Sequence, residues 1–176
     1  MALLAALAGC GGHAASTGGA DASSIGDIPD NQVFVPYSPA QGGYTIKVPE
    51  GWSQAAASGG VAFTDKLNTI LLASTPAPAA PDKAAGDAEL AKLAGTAGFA
   101  SGDVTTVSRS AGTALLLTYR LDAPPDPVTG KVVNDDVERY EFFHAGQILI
   151  VTLSGPHGAD NVDPWRIVTD SVAWTS

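Results

Sequence analysis

The chain has 176 residues, with 9 Lys and Arg against 18 Asp and Glu and a net charge of −9. At roughly 100–200 residues per domain this is one domain with flanking sequence. A surface of that sign repels phosphate backbones, which proteins grip with Lys and Arg, so nucleic acid is excluded as a partner. It repels anionic lipid headgroups too, and otherwise serves solubility. The single cysteine excludes a disulfide within the chain, so stability rests on an apolar core. No apolar run approaches the ~20 residues needed to span a bilayer.

The first element is a short apolar run, Ala2 to Ala8, closed by Leu7-Ala8-Gly9-Cys10. Leu, two small residues and Cys resemble a bacterial lipobox. That resemblance implies that residues 1–9 are a signal peptide, removed when Cys10 receives its lipid. Acyl chains of the palmitate kind would then hold the protein on the outer, extracytoplasmic face of the cell membrane. Each buried CH₂ adds roughly 0.8 kcal/mol, so two or three chains make a lasting anchor. Secretory signals open with basic residues, and residues 1–9 have none, so the full signal is expected to extend upstream of Met1. Gly11 to Ser24 is Gly, Ala, Ser and Thr apart from His13 and Asp21. It offers nothing bulky to bury, and residues 10–32 read as a lipidated flexible tether with a reach of roughly 25 Å. The folded domain is expected over residues 33–176.

Val33 to Tyr37 contains Pro36 and suits an edge strand or lead-in segment. Tyr44, Ile46 and Val48 alternate with Thr45 and Lys47, the pattern of a half-buried strand. Pro49-Glu50-Gly51-Trp52 is a turn that delivers an indole. Val61 and Phe63 belong to the next strand, Asp65 to Asn68 form a hairpin turn, and Thr69 to Ser74 pair back. Pro76 to Pro81 break the sheet. Asp82 or Asp87 opens an Ala-rich helix through Leu90, Leu93 and Ala94, ended by Gly95 and Gly98. Val104 to Ser108 is a strand, and so is Thr113 to Leu121, where Leu115, Leu117, Tyr119 and Leu121 share a face. After the Asp122 to Gly130 loop, Val132 to His144 is a long strand with Tyr140 and Phe142 on one face. Gly146 turns it into Gln147 to Leu153, apolar on both faces and therefore expected in the middle of the sheet. Asp163 as N-cap and Pro164 at the first helical position open a last helix. Trp165, Val168 and Val172 form its apolar stripe; Arg166, Thr169 and Asp170 form its polar face. Hairpin runs separated by helices predict an α+β fold, helices packed on an antiparallel sheet.

The segment Gly43-Tyr44-Thr45-Ile46-Lys47-Val48-Pro49-Glu50-Gly51-Trp52 resembles the opening of the Mog1/PsbP-like domain, where an alternating strand runs into Pro-x-Gly-Trp. The order ββββ-α-ββββ-α is also similar, as is a closing helix ending near Val172-Ala173-Trp174. Together with the lipobox this resembles the secreted lipoproteins of mycobacteria and other actinobacteria. The resemblance implies an α/β/α sandwich used as a binding scaffold, without a shared active site.

Side chains with chemical potential are few. His157, Asp160 and Asp163 recur at every third position before the last helix, and imidazole with two carboxylates can ligate a divalent metal. No fourth ligand is nearby. A solvated His157, with Asp160 organising the loop and Asp163 capping the helix, is the simpler reading, so no metal is expected. His144 reads as a surface turn residue. Asp135, Asp136, Glu138 and Glu141 are a place to seek paired catalytic carboxylates. Glu138 and Glu141 fall on opposite faces, though, and a solvated strand edge accounts for them. Calcium at Asp122, Asp126, Asp135 and Asp136 matches no loop spacing. No Gly-x-Ser-x-Gly elbow is present, and Ser154 near His157 in sequence says nothing of a triad. Trp52, Trp165 and Trp174 either line a ligand pocket or seal the helix-to-sheet core. The expected protein is a membrane-anchored binding module for an envelope protein or an apolar envelope molecule, without enzymatic activity or cofactor. An envelope hydrolase and a structural adaptor without a pocket are the alternatives.

Overall fold

Alternation of apolar side chains sets most of the strands. The computed structural model describes residues 26–175, so Cys10, His13 and the expected signal and tether up to residue 25 lie outside the described residues. The elements are β1 (Phe34–Tyr37), β2 (Tyr44–Pro49), β3 (Ser53–Ala57), β4 (Gly60–Asp65), β5 (Asn68–Pro76), α1 (Lys83–Leu93), β6 (Ala100–Arg109), β7 (Gly112–Asp122), β8 (Asn134–His144), β9 (Gln147–Pro156), α2 (Val162–Asp170) and β10 (Ala173–Trp174). Seven strands form an antiparallel sheet in the order β3-β4-β5-β9-β8-β7-β6, and β1-β2-β10 form a separate small sheet. β9 is central, as its two apolar faces require.

Register sorts the side chains into two layers. Leu72, Val151, Tyr140 and Leu116 are in line across four strands. With Ile70, Leu149, Leu153 and Phe142 they face the main core, which Tyr44, Ile46 and Val48 of β2 and Trp165, Val168 and Val172 close from above. The opposite face packs Val104, Leu115 and Leu117 against Leu90 of α1. The layers are therefore α2 with the small sheet, the large sheet, and α1. Asp82 caps α1, its Oδ1 accepting from the Ala85 N–H at 2.9 Å. Gly86 lets that helix approach closely: a Cβ there would lie 2.6 Å from Val104 Cγ1 and 3.1 Å from Leu115 Cδ2.

Several sequence expectations need correction. The domain begins before Val33. Ile28 is 4 % exposed and part of the core; its N–H donates to Asn161 Oδ1 at 2.8 Å, and Gly26 O accepts from Asn68 and Asn161 at 2.8 and 3.1 Å. The last residues of the expected tether thus carry an apolar anchor that a composition average hides. α2 starts earlier than expected: Asn161, not Asp163, is its N-cap, and Asp163 and Pro164 lie inside the first turn. Asn161 makes no side-chain cap bond, because its amide is bound to Ile28, Gly26 and Asn68. Thr169 is fully buried rather than on a polar face; its hydroxyl donates to Trp165 O at 3.0 Å and accepts from Arg109 Nε at 3.1 Å. Trp174 is in a strand paired with Tyr44, not in the closing helix. β3 was not expected, since Ser-Gln-Ala-Ala-Ala has weak strand propensity; pairing along β4 overrides it.

Candidate functional site

Three adjacent strands, β6, β7 and β8, the end of β9 and the start of α2 enclose a cleft of about 310 Å³. On its floor Thr118 of β7 is opposite Glu138 of β8, and Arg120 is opposite Asp136. All four belong to the face toward α2, because residues two apart in a strand share a face. Trp165, Val162 and Ala159 wall the cleft from above.

The three charged floor residues, Glu138, Asp136 and Arg120, are held in place by two hydrogen-bonded chains. Tyr140 donates to Glu138 Oε2 at 2.7 Å and accepts from Arg109 Nη2 at 3.0 Å. The Arg109 guanidinium is 5.1 Å from the centroid of the Tyr140 ring, and its Nε reaches Thr169 of α2 and Asp170 at 3.7 Å. Burial, with the carboxylate of Glu138 added, pushes Tyr140 up to about 12, so its proton stays on and serves as a fixed donor. The second chain begins at Asp136. His157 Nδ1 is 2.9 Å from its carboxylate, Gly158 N–H donates to it at 3.2 Å, and His157 Nε2 is 3.2 Å from Arg120 Nη1. A guanidinium can only donate, so Nε2 accepts and the ring is the neutral tautomer with its hydrogen on Nδ1, an assignment drawn from the network.

These contacts leave binding capacity directed at the cleft. Arg120 has no carboxylate within ion-pair distance, and Glu138 Oε1 has no hydrogen-bond donor, among the described residues. Trp165 is 7 % exposed and is both core and cleft wall. Neither Trp52 nor Trp174 lines this cleft, so the three indoles do not meet in it. Trp52 packs at the margin of the main core. Trp174 stacks on His144 at 4.9 Å and donates through Nε1 to Ala111 O at 3.2 Å.

The acidic strand is not a solvated edge, because β8 runs between β7 and β9. Asp135 and Glu141 are buried. Glu141 is paired with Arg139 at 2.8 Å, and Arg139 also reaches Glu89 of α1 at 2.9 Å. Asp135 has one oxygen buried without a partner among the described residues. Burial first, and the charge of Asp136 second, push its carboxyl up to about 6. It is not among the residues lining the cleft. Asp126 bonds the N–H groups of Val128 and Thr129 in its own turn, and Asp122 accepts from Asn134 at 2.9 Å. No group of three or more His, Cys, Asp or Glu is placed to hold a metal among the described residues. His157 instead joins two strands' worth of charge, a role its sequence neighbours Asp160 and Asp163 did not suggest. Asp160 uses its N–H on Asp27 at 2.9 Å. No helix among the described residues is long and apolar enough to cross a membrane.

No protein-family model matches the chain, and no curated protein sequence matches it significantly. Solved structures do. Cyanobacterial PsbP from Synechocystis superposes with a TM-score of 0.58 at 16% identity, covering 86% of this chain and 99% of that one. LpqN of Mycobacterium tuberculosis, described as involved in cell envelope biogenesis, gives 0.48 at 15% identity, covering 84% and 93%. The Ran-binding protein Mog1p of Saccharomyces cerevisiae gives 0.45 at 13%, covering 71% and 78%. The fold is the Mog1/PsbP-like α+β fold, as the strand entering Pro49-Glu50-Gly51-Trp52 suggested.

Proposed function

We propose that this protein is an extracytoplasmic binding module, held on the cell membrane by acyl chains on Cys10, whose ligand occupies the cleft beneath α2. The observation that carries the reading is the cleft itself: about 310 Å³, at the lower end of the roughly 300–1,000 Å³ usual for small-molecule sites. Its charged floor is fixed by two hydrogen-bonded chains. Such bracing is what a preformed site needs, because side chains locked beforehand lose little freedom on binding. The Leu7-Ala8-Gly9-Cys10 run supports the anchor. A catalytic role has less support: the raised carboxyl, Asp135, is outside the cleft, and the cleft's Ser101 hydroxyl bonds only the Gly102 carbonyl, at 3.4 Å. The test is to purify the full chain from membranes and identify co-purifying small molecules by mass spectrometry, beside Ala159→Trp, which fills the cleft. The wild type should carry a ligand that the variant lacks. Cys10→Ala should move the protein out of the membrane fraction; retention after a carbonate wash would refute the anchor.

A further inference from the structure

The cleft holds a cation and an anion that do not meet. Arg120 and Glu138 are diagonal neighbours on paired strands, since Arg120 is opposite Asp136 and Thr118 opposite Glu138. Diagonal positions of this kind lie about 7–8 Å apart. Two long side chains of opposite charge at that distance would ordinarily close into an ion pair. Here each is drawn aside, Arg120 by His157 at 3.2 Å and Glu138 by Tyr140 at 2.7 Å, and no ion pair joins them. Asp136, directly opposite Arg120, has its carboxylate engaged by His157 and Gly158.

Resting on the cleft as the binding site, we propose that its ligand is a small zwitterion, with an ammonium at Glu138 and a carboxylate or phosphate at Arg120. Glu138 Oε1 accepts from the ammonium, and Trp165 lines the same cleft. The guanidinium offers its remaining N–H donors to a planar or tetrahedral anion. A ligand with one charge alone would leave the other group facing the cleft without a partner, so discrimination should be steep. At the mouth, Val162 is 69% exposed. Its place suits an apolar continuation, so the same chemistry is available from a free amino acid or phosphoamine and from a zwitterionic lipid headgroup.

Calorimetry on the full chain separates these. γ-Aminobutyrate and phosphoethanolamine should each bind at least tenfold more tightly than ethylamine, acetate or inorganic phosphate. Glu138→Gln keeps the Tyr140 bond and should lose at least tenfold for phosphoethanolamine while leaving inorganic phosphate unchanged; Arg120→Gln should weaken both. For the vesicle arm the Cys10→Ala chain is used, since acyl chains would insert into any bilayer. Vesicles of phosphatidylethanolamine binding where phosphatidylglycerol does not would identify the lipid source, and phosphoethanolamine binding without vesicle binding the free one. Equal affinity for the single-charge probes, or unchanged affinity in both folded variants, overturns the zwitterion. Binding of glucose or a fatty acid alone, abolished by Ala159→Trp, overturns it while leaving the cleft reading in place. If nothing binds and Ala159→Trp leaves the co-purifying molecules unchanged, both fall.

Discussion

Replacing Asn161 with Ala should destabilise this domain more than its position at a loop–helix junction suggests. The amide is buried, at 3% exposure, and joins three parts of the chain. Its Oδ1 accepts from Ile28 N–H at 2.8 Å; its Nδ2 donates to Gly26 O at 3.1 Å and to Asn68 Oδ1 at 3.0 Å. Truncation leaves two buried groups without partners, the Ile28 N–H and Asn68 Oδ1. Gly26 O keeps its bond from Asn68 Nδ2 at 2.8 Å. Each orphaned group costs roughly 1–3 kcal/mol, so a loss of about 2–6 kcal/mol is expected, a large share of the roughly 5–15 kcal/mol that holds a domain together. Urea unfolding, extrapolated to water at constant m-value, measures it. Asn68→Ala removes the Oδ1 orphan. The double variant also strips Gly26 O of both its donors, but the Asn161–Asn68 bond that each single change breaks is then lost only once, so the double variant should lose less than the sum of the single losses. A loss under about 1 kcal/mol, or strict additivity, would refute the claim that residues 26–28 are tied into the domain through this amide.

Three further substitutions test other parts of the structure. Gly86→Ala, a change that usually stabilises a helix by roughly 0.5–1 kcal/mol, should here cost about 1–3 kcal/mol by overpacking, since the new methyl meets the stiff Val104 side chain; urea midpoints decide the sign. Asp135 is raised from 3.8 to about 6, so the folded state prefers its protonated form. The stability this provides is full below about pH 4 and lost as pH rises through 6, and Asp135→Asn should flatten that slope and raise stability at pH 8, as read from unfolding across pH 4–8. Trp165→Ala should cost roughly 3–5 kcal/mol; a thermal midpoint left unchanged without ligand would show that the ring is only a cleft wall.

Much of the fold is legible because alternation is a strong signal. Tyr44, Ile46 and Val48 mark β2, and Gln147 to Leu153, apolar on both sides, mark the central strand. Composition misleads where one residue decides. Ile28 ends a stretch poor in large apolar side chains, yet it is buried in the core. Ser53 to Ala57 has no alternation, yet the backbone of β4 organises it. Thr169 is read as polar surface until Arg109, sixty residues away, is seen to need its hydroxyl. At the helix start, Asp163-Pro164 is a genuine N-terminal signature, but Asn161 precedes it, and its amide serves long-range contacts rather than the local cap.

The cleft was out of reach for a different reason. Its charged residues come from β7 and β8, and only register places Arg120 opposite Asp136 and Thr118 opposite Glu138. A slip of one residue in either strand would turn its two members to the other face, toward the α1 side. Register here follows from the apolar pattern: Leu115 and Leu117 must meet Leu90 and Val104, so Thr118 and Arg120, which alternate with them, face α2. The core of one layer thus determines which charges line the site of the other. The same logic explains why Trp165 is shared. A helix as short as α2 needs docking to persist, and the side chain that docks it also closes the cleft, so ligand affinity and the seating of α2 should change together whenever that contact is altered.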